Sequence, residues 1–202
     1  MSRSPWLRFG IAIIAAGLVA AFAPLEKTLG VNARIVYFHG AWVWAAMLAL
    51  LAAAITGLAG LIGRRPVLNE WSRALGRAGL CFWIIFLPMS LYVMQANWNG
   101  LYLDEPRFRV PLNLAIVGLL LQVGLSFIPE ARWTSLANIA YAAALFASMN
   151  AAQAVLHPES PIFSSGARDI QVFFVALLIL LVMAAWQLAL AWLQWERKRH
   201  AR

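Results

Sequence analysis

Three histidines stand in a chain of 202 residues, and two of them occupy places where an imidazole can do chemistry. His39 lies in the run Arg34-Ile35-Val36-Tyr37-Phe38-His39-Gly40-Ala41-Trp42-Val43-Trp44, and His157 lies in Ala154-Val155-Leu156-His157-Pro158. Each sits near one end of a long apolar stretch. A lone histidine in an apolar helix is usually a hydrogen-bonded packing residue. Two at the same depth on different helices can face each other across a metal ion or a haem iron. The third, His200, belongs to a basic tail and reads as a solvated charge. Cys81, the single cysteine, reads as a small buried hydrophobe, and it permits neither an intrachain disulfide nor a cysteine-pair metal motif.

Polar residues gather on the same side. Asn150, Gln153 and His157 are spaced at i, i+3 and i+7, so a helix continuing to His157 would carry them on one face, with Phe146 extending it inward. Ser90, Met94 and Asn97 make a comparable stripe, with Pro88 expected to kink or weaken the helix one turn below. Such stripes are costly against lipid and should face the bundle interior. The bland alternative is hydrogen bonding between helices, at about 1 kcal/mol or less per contact. Between the stripes lies Asn97-Trp98-Asn99-Gly100-Leu101-Tyr102-Leu103-Asp104-Glu105-Pro106-Arg107-Phe108-Arg109. This segment reads either as an interfacial aromatic belt with snorkelling arginines or as a platform for a flat amphipathic ligand. Trp98 and Tyr102 would share a face if the segment were helical, and Arg107 and Arg109 could pair with a ligand's carboxylates.

The elements positioning these residues follow from composition. Hydrophobic residues make up 63% of the chain and charged residues 12%, about half the charge of a soluble domain. Six stretches carry no Asp, Glu, Lys or Arg: 9–25, 35–63, 78–103, 110–129, 133–157 and 170–195. A bilayer crossing takes roughly 20 apolar residues. The expected fold is therefore a single all-α domain over 1–202, a bundle of six transmembrane helices, with lipid as its surroundings. No strand-like alternation recurs, which argues against a transmembrane barrel. The opening stretch has features of a secretory leader, with Arg3 and Arg8 before it and Ala21-Phe22-Ala23 closing it. Pro24 should hinder cleavage, so the stretch is read as the first membrane helix.

The net charge of +8 could signal nucleic acid, but the basic residues lie between apolar runs and act as topology signals. With the N-terminus inside, inner segments carry eleven Lys and Arg and outer segments five, which favours both ends in the cytoplasm. Apart from histidine, no ionisable acid or base lies within the stretches. That argues against a proton-pumping carboxylate chain or an ion-coupled transporter.

The chain resembles the cytochrome c assembly protein family, and within it the haem-exporter branch. The run from Arg34 to His39 is similar to the family's basic-Ile-x-Tyr-x-His opening of its second helix. Leu156-His157 sits where the family has a second outer histidine. Residues 98–107 occupy the place of its tryptophan-rich motif, with Trp98 on the first tryptophan, Tyr102 on a central one, Glu105 on the aspartate and Arg107 on the arginine. Leu101 and Asp104 stand where the family has further tryptophans, and Asn99 stands where it has glycine.

The resemblance implies a carrier rather than an enzyme. It implies a multi-pass protein of the inner (cytoplasmic) membrane that holds haem b transiently at the outer face. His39 and His157 would be the axial ligands. Trp98, Tyr102 and Trp42 would pack on the ring, with Glu105 beside them, and Arg107 or Arg109 would hold propionates. The implied partners are a membrane-anchored haem chaperone and the subunits of an ABC-type transporter. Two alternatives stand beside it: a structural subunit of the same fold that has lost haem, and an unrelated permease for a small neutral solute. The lack of broken helices and of an internal repeat counts against the permease.

Overall fold

The structure, a computed structural model, describes residues 4–153, 156, 162, 163 and 166–200, the side chain of residue 200 excepted. These residues form six helices: α1 (Pro5–Ala21), α2 (Ala33–Ile62), α3 (Pro66–Trp98), α4 (Pro106–Leu125), α5 (Ala131–Ala151) and α6 (Arg168–His200). α2, α3, α4 and α6 are long and apolar enough to cross a bilayer. α1 is a shorter apolar helix. α5 is not among these four, and it buries Thr134, Ser135 and Asn138 among its core residues.

Successive helices run up and down, so the bundle has two distinct ends. At one, Trp6 of α1 meets Trp192 of α6 edge-on at 6.4 Å. There Ser135 of α5 donates to Asn69 of α3 at 2.9 Å, and Arg197 of α6 donates to Glu70 of α3 at 2.9 Å. We call this the arginine end. At the other, the histidine end, Asn32 donates to the carbonyl of Ala96 at 2.8 Å, and Tyr37 of α2 lies 6.2 Å from the ring of Phe173 in α6.

The core is built on α2 and α3. Ala41, Ala45, Ala49, Ala53 and Gly57 recur every fourth residue along α2 and are all buried. Without bulk on that face, the backbones approach closely, which is how helices associate where lipid removes any hydrophobic drive. A Cβ on Gly79 of α3 would stand 3.0 Å from the backbone nitrogen of Leu50. Polar side chains then bind across the gap. Ser72 Oγ donates to the carbonyl of Ala53 at 2.8 Å, Asn138 Nδ2 donates to the carbonyl of Ser72 at 2.8 Å, and Gln122 donates to Asn138 Oδ1 at 3.0 Å.

Two element boundaries depart from expectation. α3 starts at Pro66, twelve residues before the charge-free stretch at 78, and runs without a break through Pro88. Its early turns hold Glu70, Arg73 and Arg77, whose charges are met by α6 and by the α4–α5 turn, so charge does not end the helix. α5 stops at Ala151 rather than reaching His157, because Ala152 turns extended at φ −68° and ψ 116°. Gln153 therefore lies beyond the helix that carries Asn150, both residues are exposed, and His157 lies outside the described residues. The stripe on α3 is as expected: Ser90 and Met94 are buried, and Asn97 is half-buried.

Candidate functional site

His39 sits in the second turn of α2, half-buried, with its ring 5.8 Å from that of Phe86 on α3. Phe86 in turn meets the fully buried Trp83 edge-on at 4.7 Å. Phe86, Ser90, Met94 and Asn97 follow helical spacing on α3. The polar stripe thus continues inward to the ring that backs His39. That spacing was the available signal for Phe86, which motif-based reasoning passed over.

Residues 99–105 form a loop, and residues 106–109, with Arg107 and Arg109, open α4. Trp98 is the last residue of α3, and Asn99 caps it in the left-handed region at φ 52°, a conformation that asparagine tolerates. Trp98 and Tyr102 still meet, but across this loop, edge to face at 6.5 Å. The Tyr102 hydroxyl donates to the carbonyl of Trp98 at 3.4 Å, and Tyr102 stays exposed.

Glu105 is the best-anchored residue here. It precedes α4, its carbonyl accepts the backbone N–H groups of Phe108 and Arg109 at 2.9 Å, and only 4% of it is exposed. A buried carboxylate requires donors. One is the backbone N–H of Leu156, which donates to Glu105 Oε2 at 3.1 Å. This bond ties the outer loop to the chain beyond α5, at the residue just before His157. His157 itself lies outside the described residues.

The two arginines differ. Arg109 is exposed and pairs with the still more exposed Asp104 at 3.3 Å, a contact of little energetic weight. Arg107 is half-buried, and its Nε is buried with no hydrogen-bond partner among the described residues. The Tyr37 hydroxyl and Asn97 Oδ1, also at this end, likewise have none among the described residues. Buried polar atoms of this kind cost free energy unless something satisfies them. Trp42 is placed differently. Its indole N–H donates to the carbonyl of Phe82 at 2.9 Å, and its ring stacks on Phe82 at 4.4 Å. It is 6% exposed, within the α2–α3 interface.

The histidine end thus offers an imidazole beside an aromatic wall, an aromatic pair at a loop, a half-buried arginine whose Nε has no hydrogen-bond partner among the described residues, and a carboxylate holding the neighbouring chain in place. An amphipathic ligand with a flat apolar body and acidic edges meets all of these needs. No protein-family model matches the chain, and no curated protein matches it at a significant level.

Proposed function

We propose that this protein handles haem at the histidine end of a six-span membrane bundle, as a carrier that receives haem b and presents it to a partner. The observation carrying this reading is the Glu105–Leu156 bond. It holds the Trp98–Arg107 segment against the chain leading to His157, at the same end as His39. Haem suits the residues: His39 would ligate the iron, Phe86, Trp98 and Tyr102 would give aromatic edges, and Arg107 would pair with a propionate. His157, outside the described residues, would supply a second imidazole. Bound there, haem would keep one edge at the loop surface, where a receiving protein can reach it.

With Lys and Arg concentrated at the arginine end, that end faces the cytoplasm and the histidine end faces outward across the inner membrane. A membrane-anchored haem chaperone is the fitting recipient, and ABC-type transporter subunits are fitting neighbours, in keeping with the resemblance to the cytochrome c assembly family.

The test is the visible spectrum of the full chain purified after haem loading. A Soret band with low-spin character is expected, and it should vanish when His39→Ala and His157→Ala are combined. A double variant that keeps wild-type haem content and spectrum refutes the site. The second reading, a structural subunit without haem, draws on Leu101 and Asp104 standing in place of tryptophans. A wild-type protein that stays colourless after loading selects it.

A further inference from the structure

Exposed arginines are treated differently at the two ends of the bundle. At the histidine end, Arg109 faces an acid, Asp104. At the arginine end, Arg132 and Arg199 face aromatic rings. The Arg132 guanidinium lies 5.3 Å from the ring centre of Trp133, and the Arg199 guanidinium 5.5 Å from that of Trp195. Neither arginine pairs with an acid among the described residues. Two acids at this end are taken by other partners: Glu196 is buried against Arg77, and Glu70 accepts from Arg197. Glu130, exposed beside Arg132, is the third. Arg8, Arg64, Arg65 and Lys198 are exposed at the same end, so its surface is positive overall.

The rings fix the depth at which these cations act. Trp133 lies in the first turn of α5 and Trp195 in the last turns of α6. They are 45% and 47% exposed. Trp6 of α1 and Trp192 extend the row beside Trp195, with Trp192 and Trp195 meeting edge-on at 5.8 Å. Exposed indoles at the ends of apolar helices settle at the level of the lipid headgroups. A guanidinium lying over such a ring is kept at that level, its stem along the apolar surface and its charge in the headgroup layer. The groups it meets there are lipid phosphates, whose oxygens match the planar arginine fork.

We propose that the arginine end carries two sites for an anionic phospholipid of the surrounding leaflet, one at Arg132 and Trp133 and one at Arg199 and Trp195. The positive surface selects an anionic headgroup over a zwitterionic one, about fivefold for each cation near the membrane. Glu130 makes the Arg132 site the weaker of the two. The sites are independent of the haem reading at the other end.

The full chain is reconstituted into equimolar phosphatidylglycerol and phosphatidylcholine with matched acyl chains and re-extracted into mild detergent. The lipids that stay bound are counted by native mass spectrometry. Two retained phosphatidylglycerol molecules are expected, each favoured about fivefold over phosphatidylcholine. Arg132→Gln and Arg199→Gln should each remove one, and the double variant should hold the two lipids equally. Both side chains are exposed, so an unchanged unfolding temperature in detergent separates this loss from misfolding. Lys27→Gln, which removes an exposed cation at the histidine end, should leave the count as it is. Retention of the two lipids in their bulk ratio by the wild type overturns the proposal, as does a double variant that keeps the full preference. An equal loss on Lys27→Gln overturns the assignment to the arginine end.

Discussion

At the arginine end, side chains of different helices often bind each other; at the histidine end, the exposed Arg109–Asp104 pair aside, they bind backbone. Glu70 takes Arg197, Glu196 takes Arg77, Ser135 reaches Asn69, and Gln122 reaches Asn138, each joining two helices through paired groups. At the histidine end, Asn32 donates to the carbonyl of Ala96, Arg34 to that of Ala23 and Asn97 to that of Val93, while Glu105 accepts from the Leu156 N–H. Backbone partners position a segment without using up the side chains around it. The first arrangement suits an end that locks the bundle. The second suits an end that holds loops in place around Arg107 and Asn97, whose Nε and Oδ1 have no hydrogen-bond partner among the described residues.

If locking is the work of the arginine end and of the packed helices above it, damage there should be global. Gly79→Leu is expected to cost the most, since its side chain would be driven into the α2 backbone at Leu50. Loss of the monodisperse folded protein in size-exclusion chromatography is the expected outcome, and a normally behaved variant would mean that α2 and α3 are not packed so closely.

Asn138→Leu comes next. It removes two donations to Ser72 and the acceptor for Gln122, leaving buried groups without partners. A loss of about 2 kcal/mol is expected in a denaturation titration.

Damage at the histidine end should be local by contrast. Glu105→Ala removes the acceptor for Leu156 and is expected to lower haem retention about tenfold, close to 1.4 kcal/mol, with little change in unfolding temperature. Limited proteolysis should cut the variant faster between α5 and α6. Equal destabilisation by Glu105→Ala and Asn138→Leu would erase the distinction between the two ends.

Much of this plan was readable from residue order. The six charge-free stretches correspond to the six helices, and the alternation of Lys and Arg between segments corresponds to the two ends. The helix limits were not readable, because a window free of charge marks where lipid is tolerated, not where a helix stops. α3 carries Arg73 and Arg77 on helical backbone because Pro129 and Glu196 meet them, the latter from 119 residues away, a pairing that spacing does not reveal. α5 ends early because the chain departs at Ala152, and its Leu156 N–H then reaches a buried carboxylate, again a long-range demand. The outer segment was legible as a cluster. Its conformation was not, since the left-handed cap at Asn99 depends on a single residue.

The smallest effect concerns the α1–α2 connection. The backbone N–H of Leu29, and after it that of Thr28, hold the Glu26 carboxyl below its ordinary value of 4.5. A lowered folded value means that the ionised form stabilises the fold above the unfolded value, and that this contribution fades as pH falls through 4.5 and on through the folded value. The Glu26 carboxyl lies at the surface of a half-buried residue, so the contribution is slight. Replacing it by Gln should flatten the acid limb of the unfolding-temperature profile below about pH 5 and leave neutral pH unchanged.

The most direct measurement is low-temperature electron paramagnetic resonance of the ferric, haem-loaded chain and of its His39→Ala variant. Two imidazoles on one iron give a low-spin signal in the wild type. Removing one should turn it high-spin, and added imidazole should restore it. A His39→Ala protein that stays low-spin with unchanged haem content would show that the iron is held elsewhere.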